Sequence, residues 1–166
     1  MTHSKVRAAV IEDVPRLTEI YNHYIVNTPA TFDIEPFTVE QRMEWFSHYA
    51  STGSHRVLVA EADGVVLGAT WSSQFRVKRA YDTTVETSVY CAPEATGQGI
   101  GTLLYQALFK ALDGQPLRRA VAGITMPNEV SVRLHERFGF RKVGTFSEVG
   151  KKFGRYWDVA WFEREL

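Results

Sequence analysis

Apolar and polar positions follow two periods along this chain, and the switches between them mark its elements. Val6 to Val10 reads as a short strand. Asp13 stands where a helix cap belongs, and Pro15 falls in the first turn, where a missing N–H costs little. Leu17, Ile20, Tyr21, Tyr24 and Ile25 then share one helical face, and a loop runs from Asn27 to Pro36. Thr38 and Gln41 make the capping-box pattern of a second helix reaching about Tyr49. Val57 to Ala62 and Val65 to Ser73 are strands about Asp63-Gly64, a strong hairpin turn. Gln74 to Asp82 is a polar connection carrying Arg76, Lys78 and Arg79. A run rich in β-branched and aromatic residues, Thr83 to Ala92, is the next strand, ended by Pro93. From Ile100 the period turns helical through Leu103, Leu104, Ala107, Leu108, Ala111 and Leu112, until Asp113-Gly114-Gln115-Pro116 breaks it. Ala120 to Thr125 is a strand, and Asn128 caps a helix from Glu129 to about Phe138, closed by Gly139. Strands near Arg141 to Ser147 and Tyr156 to Glu163 complete the order β-α-α-β-β-β-α-β-α-β-β. That order predicts an α+β fold, a sheet with helices packed on it.

Between the Thr83 strand and the Ile100 helix, Gly97, Gly99 and Gly101 alternate. Glycine lets backbone approach a ligand closely, and the unpaired N–H groups of a helix's first turn point at an anion. Strand, glycine loop and helix start together predict a pyrophosphate site. Two nucleotide-binding patterns fail on spacing. A P-loop needs Lys-Ser/Thr after its last glycine, whereas Ile100, Gly101 and Thr102 follow Gly99. A dinucleotide fingerprint needs a third glycine where this chain has Thr102.

Composition narrows the setting. The 166 residues read as one domain, 1–166, long enough for a proper core. Nineteen basic and 19 acidic residues leave no net charge, which argues against nucleic-acid binding. Cys91 is the only cysteine, so no internal disulfide forms, and a reducing cytoplasmic location fits. No apolar run approaches the ~18 residues of a membrane span, and the N-terminus lacks a signal-peptide pattern. Neither membrane association nor a metal is expected.

The window Thr96-Gly97-Gln98-Gly99-Ile100-Gly101 resembles the acetyl-CoA loop of the GNAT N-acetyltransferase superfamily, Arg/Gln-x-x-Gly-x-Gly/Ala. Thr96 departs from the usual Arg or Gln, which touches one side-chain contact and not the backbone cradle. Asn128-x-x-Ser131-x-x-Leu134-His135-x-x-x-Gly139-Phe140 resembles the second GNAT motif, whose asparagine contacts the cofactor. Four further segments occur in the same order in one GNAT branch, the phosphinothricin and methionine sulfoximine N-acetyltransferases. They are Ile20-Tyr21-Asn22-His23-Tyr24, Thr84-Val85-Glu86-x-Ser88-Val89-Tyr90, Ser131-x-Arg133-Leu134-His135-Glu136 and Lys152-Phe153-Gly154-Arg155-x-x-Asp158. The resemblance covers essentially the whole chain. It implies the GNAT fold, a mixed and mostly antiparallel sheet flanked by helices. It also implies acetyl-CoA as co-substrate, a small-molecule amine as acceptor, a homodimer, and a role in detoxification or herbicide resistance.

Site roles follow from the same resemblance. Glu86 matches the branch's proposed base, and His135 stands where many relatives carry a tyrosine that protonates the departing CoA thiolate. Backbone at Val89, Tyr90 and Cys91 lies where the pantetheine arm is laid, with an N–H near Val89 polarising the thioester oxygen. Gly97, Gln98, Gly99, Ile100, Gly101 and Thr102 hold the pyrophosphate, with Asn128 beside them. Arg76, Val77 and Lys78, together with Glu86, Thr87 and Ser88, border the substrate; Lys78 replaces a common arginine. Lys152 matches a lysine near the substrate.

The residues alone leave alternatives. Glu86 also reads as a solvated strand carboxylate, Asn128 as a plain cap, His135 as a packed or surface histidine, and Cys91 as strand packing. Lys151, Lys152 and Arg155 also read as a solvated turn, and the aromatics Tyr21, Tyr24, Trp45, Phe46 and Tyr49 as a core face or as walls of a cleft. Strand alternation sets Glu86 with Thr84 and Ser88 on one face, opposite Val85, Thr87 and Val89. Glu86 is therefore expected to face cleft or solvent. Amide formation needs a neutral amine, and a carboxylate that accepts its proton contributes ~10²–10⁴-fold. The expected reaction is acetylation of the α-amino group of a small amino acid analogue such as phosphinothricin or methionine sulfoximine. The alternatives are another amine (a drug, a polyamine or a protein N-terminus) and a non-catalytic acyl-CoA-binding module, which needs no base.

Overall fold

The computed structural model describes residues 4–166. Its strands are β1 (Lys5–Ala8), β2 (Val57–Ala62), β3 (Val65–Gln74), β4 (Thr84–Cys91), β5 (Arg119–Met126), β6 (Arg141–Lys152) and β7 (Arg155–Glu165). Four helices accompany them: α1 (Val14–Asn27), α2 (Val39–Phe46), α3 (Ile100–Leu112) and α4 (Glu129–Arg137). The strands form one sheet in the order β1-β2-β3-β4-β5-β7-β6. Among the described residues only the β4–β5 pair is parallel. The expected element order is the observed one.

Local chemistry explains most boundaries. Thr38 Oγ1 accepts from the Gln41 N–H at 3.2 Å while Gln41 Oε1 accepts from the Thr38 N–H at 2.8 Å, the reciprocal cap that starts α2. Asp63 and Gly64 both take positive φ, 51° and 77°, which matches the twist of the β2–β3 hairpin. Asp13 is different from expectation. It sits at the start of α1, but its carboxylate turns back to Arg7 at 2.7 Å and to the Val10 N–H at 2.8 Å. It ties β1 to the helix instead of capping it. Helix α2 stops at Phe46, short of Tyr49, and the next residues form turns. The closing hairpin is longer than its pattern predicts, because β6 is exposed along nearly its whole length and so lacks an alternating apolar signature. Lys151 and Lys152 belong to that strand, not to a solvated turn.

Two buried clusters hold the sheet. One joins Leu17 and Ile20 of α1 to Val59, Trp71 and Leu104; the other joins Tyr105 and Leu108 of α3 to Val85, Ala122, Phe140 and Phe162. The sheet's seam is decisive for the site. β4 and β5 pair only at Thr84↔Arg119, Val85↔Ala120 and Glu86↔Val121. Beyond Glu86 each strand follows its other neighbour, β4 along β3 to Cys91 and β5 along β7 to Met126. The sheet splits into a V there, with Glu86 at the vertex.

Candidate active site

The split opens a cavity of about 1000 Å³, at the upper end of the ~300–1,000 Å³ usual for ligand sites. Residues 86–91 of β4 and 122–125 of β5 form its two inner walls. The start of α3, the start of α4 and the loop after α1 complete it.

One end is built from backbone. Gly97 and Gly99 hold φ of 76° and 80°, a region costly to any residue with a Cβ. Nothing lies within 4 Å of where a Cβ would stand at either position, so the loop is unobstructed there and the cost of a side chain is the backbone conformation itself. Gly99 leads directly into α3, whose first-turn N–H groups face the same space. Gly97, Gly99, Ile100, Gly101 and Thr102 all border the cavity. Gln98 does not; it donates Nε2–H to the Glu94 carbonyl at 2.9 Å. Asn128 borders the cavity and caps α4, accepting the Ser131 N–H on Oδ1 at 3.1 Å. Its amide N–H groups stay available, so cap and cofactor contact coexist. An anion with a close-approaching chain fits this end.

The middle is the free edge of β4. Val89, Tyr90 and Cys91 pair with Thr70, Ala69 and Gly68 on the β3 side, while the β5 side has opened. An extended arm can add there as a strand. The Cys91 thiol is pushed up to about 11 by burial, against a hydrogen bond from the Gly101 N–H. At neutral pH it stays a thiol, a poor nucleophile.

The other end is built from side chains. Glu86 is half-buried at the vertex, on the same face as Tyr90, whose ring packs against Tyr21, Tyr24 and Trp71. Burial raises the Glu86 pKa, and the nearby Arg76 charge offsets part of that rise. Tyr21 and Tyr24 border the cavity, so these two aromatics are both core and wall, whereas Trp45 and Tyr49 do not border it and pack on each other, with Trp45 against Trp71. Phe32, Phe146, Val149, Val159 and Trp161 close the far side. Thr87 and Ser88 border the cavity from opposite faces of β4.

Arg76, Val77 and Lys78 lie on the exposed connection outside the cavity's lining. Arg76 stacks on Phe75 with 4.3 Å to the ring centroid, and Phe75 packs edge-on against the lining residue Trp161 at 6.1 Å. Lys152 is buried, and its ammonium donates to the Thr28 and Thr31 carbonyls at 2.9 and 2.7 Å. It clasps the loop that carries Phe32, whose ring occupies the space a Cβ on Gly150 would need.

His135 borders the cavity but is only 3% exposed. Its Nδ1 lies 2.7 Å from the Ser131 carbonyl, which can only accept, so Nδ1 carries the hydrogen. Burial lowers the ring's pKa and keeps it neutral, so Nε2 accepts from the Tyr105 hydroxyl at 2.8 Å. Tyr105 in turn takes a 3.2 Å contact from Thr87 Oγ1. The proton-donor role implied for His135 meets an obstacle here, because the neutral ring has no free N–H. Sequence periodicity passes over Tyr105, since a tyrosine inside an apolar helical face carries no signal of its own. Arg133 and Arg137 of α4 also border the cavity. Their helical spacing was legible, but which element they face was not.

Residues 6–161 match the model of the acetyltransferase (GNAT) domain. The chain is 57% identical over 164 residues to a phosphinothricin N-acetyltransferase of Streptomyces coelicolor, covering 98% of this chain and 96% of that protein. It is 34% identical to an L-methionine sulfoximine/L-methionine sulfone acetyltransferase of Pseudomonas aeruginosa, over 98% and 95% of the two chains. The crystal structure of a phosphinothricin acetyltransferase from Sinorhizobium meliloti in complex with AcCoA superposes with a TM-score of 0.91 at 33% identity, covering all of this chain and 89% of that one.

Proposed function

The chain belongs to the GNAT acetyltransferase family and is an acetyl-CoA-dependent N-acetyltransferase; on that premise we propose that it acetylates the α-amino group of a small amino acid analogue, phosphinothricin or methionine sulfoximine. The position of Glu86 carries the proposal. It is a half-buried carboxylate with a raised pKa, at the vertex where the backbone-built and aromatic ends of one cavity meet. Burial makes such a carboxylate a stronger base than a solvated one, suited to taking the proton of an incoming ammonium.

Acetyl-CoA supplies the activated acetyl group. The loop from Gly97 to Thr102 receives its pyrophosphate, Asn128 adds an amide, and the open edge of Val89, Tyr90 and Cys91 receives its extended arm. The Val89 N–H polarises the carbonyl under attack. Glu86 takes the amine's proton directly or through water, and Ser88 and Thr87 line the approach. The aromatic walls take the analogue's side chain, and Arg76, with Lys78 beyond it, answers its carboxylate from the rim. His135 has a positioning role, holding Tyr105 and through it Thr87, and the departing sulfur takes its proton from water. A homodimer is part of this reading. Phe146, Val149, Phe153 and Tyr156 on the β6–β7 hairpin are each more than half exposed, an apolar surface suited to a second copy.

A thiol-release assay with acetyl-CoA and a panel of amines tests the substrate class, with sedimentation velocity run alongside for the dimer. Phosphinothricin and methionine sulfoximine should give the highest kcat/KM. Faster turnover of a polyamine or a peptide N-terminus would move the activity to another amine. No thiol release with any amine would leave a binding role.

A further inference from the structure

The cradle for the cofactor's phosphates has no cation of its own. Thr96 turns its hydroxyl back to the Pro93 carbonyl at 3.0 Å, and Gln98 is bound to the Glu94 carbonyl. Both polar side chains of the loop therefore point into the 3-10 turn at Pro93–Ala95. Arg16, the cation that reaches this turn, is held by Glu94 and by Glu19, the latter at 3.0 Å. A pyrophosphate diester brings two negative charges. The start of α3 answers with the equivalent of only about half a positive charge.

Helix α4 faces the same space with two arginines. Arg133 and Arg137 are four residues apart, so they share one helical face, and both border the cavity with Gly97, Gly99 and Thr102. Arg137 Nη1 donates to Thr102 Oγ1 at 3.1 Å, which anchors the guanidinium at the third residue of α3 and leaves its other donors free. Among the described residues Arg133 has one ionic contact, Glu129 at 3.5 Å, with side chains 66% and 84% exposed. A pair that loose and wet does not hold the guanidinium against a phosphate. The net charge of the chain is zero, so any attraction for phosphate here is local.

We propose that Arg137, with Arg133 beside it, supplies the positive charge of the pyrophosphate site, from α4 and not from the glycine loop. Arg137 is placed to bridge the Thr102 hydroxyl and a phosphate oxygen, and Arg133 swings from Glu129 to the second phosphate. The proposal rests on the reading of Gly97 to Thr102 as the pyrophosphate cradle. The chemistry recognised is a phosphate oxygen, which acetyl-CoA also presents on its adenosine 3′-phosphate, so the test must separate the two.

Calorimetric titration of wild type, Arg137→Gln, Arg133→Gln and the double variant should use acetyl-CoA, its 3′-dephospho form and S-acetylpantetheine. Arg137→Gln should weaken acetyl-CoA by ~10-fold, the low end for a charge-assisted contact at an exposed site. Arg133→Gln should cost less, and the double variant most. The salt dependence of Kd should flatten in step. The loss should persist with the 3′-dephospho form and vanish with S-acetylpantetheine, while Arg137→Lys should recover part of it. Unchanged affinity in a natively folded double variant overturns the proposal, as does a loss that disappears with the 3′-dephospho form. Gly99→Val separates this from the cradle reading. If it binds normally the cradle fails; if it alone loses binding, only the arginine assignment fails. Arg133→Gln removes no tight contact, so it keeps the test open should Arg137→Gln misfold.

Discussion

The two ends of the cavity are made of different materials. On the proposed reading the cofactor end is mainly backbone, with Asn128 and the α4 arginines added to it: glycines at positive φ, the first turn of α3 and an open strand edge. The substrate end is side chains: Glu86, the rings of Tyr21, Tyr24 and Phe32, and Trp161 across from them. A ligand that never changes is met by main chain, whose geometry is fixed by the fold. A ligand that differs between enzymes is met by side chains, which can be exchanged without moving the frame. Breaking the main-chain geometry at the first end should therefore cost most of the cofactor affinity, and side-chain changes at the second should alter rate or choice.

The largest effect should come from Gly99→Val. The substitution forces a β-branched residue to φ of 80°, so the loop must shift and the N–H groups that lead into α3 with it. Acetyl-CoA affinity should fall by more than ~100-fold, measured by calorimetry, with the circular dichroism spectrum retained. Native affinity would break the division between the two ends.

Glu86→Gln should lower turnover by ~10²-fold at neutral pH and leave acetyl-CoA affinity within about threefold. The acidic limb of the wild-type pH–rate profile, where protonated Glu86 cannot act, should flatten in the variant. Stability gives an independent readout. The Glu86 pKa is raised in the folded state, so folding loses stability as pH rises through that range, and the full cost is felt above it. The glutamine pays no such cost, so the variant should melt higher than wild type at neutral pH and not at low pH. A lower Tm together with an unchanged pH profile would place the base elsewhere.

The same division explains what was legible in the sequence. The cradle announces itself because glycine adopts the conformation of Gly97 and Gly99 at far lower cost than other residues, and their spacing before an apolar helix is local. Strand alternation likewise sets Glu86 and Thr87 on opposite faces, as observed. The substrate end depends on contacts between distant segments. Lys152 reaches carbonyls 124 and 121 residues away, and Phe32 lies on Gly150. Nothing in the run Lys151-Lys152-Phe153-Gly154 distinguishes a clasp from a polar turn. His135 shows the limit differently. Its motif is legible, but the proton on Nδ1 is set by the carbonyl one turn back in α4 and by a tyrosine on α3.

A smaller effect is expected where the cofactor end meets this buried chain. Tyr105→Phe removes the donor to His135 Nε2 and the acceptor for Thr87 without changing the ring's packing. Thermal or urea unfolding should show a loss of ~1–3 kcal/mol, the cost of leaving a buried polar atom unpaired. Turnover should stay within about tenfold, because the chain positions groups and does not give up a proton. A loss near that of Glu86→Gln, with the basic limb of the pH profile shifted, would return the proton-donor role to His135 and Tyr105.

The smallest effect should come from the rim. Arg76 is exposed, so a contact it makes with a substrate carboxylate is discounted by solvent, and Arg76→Ala should raise the KM for phosphinothricin by only ~3- to 10-fold. Its second influence is on Glu86. The positive charge favours the carboxylate form, partly opposing the rise caused by burial. Without it the Glu86 pKa rises further, and the acidic limb of kcat/KM moves to higher pH. The two influences separate by substrate. An esterified analogue has no carboxylate for Arg76 to hold, so its KM should be insensitive to the mutation while its acidic limb still moves. Arg76→Lys keeps the charge but not the planar stack on Phe75, and should restore the pH limb more fully than the KM. Acetyl-CoA parameters should hardly change in either variant, since this charge lies at the side-chain end. If the ester and the parent acid lose equally in Arg76→Ala, carboxylate recognition is not the role of Arg76, and its effect is confined to the base.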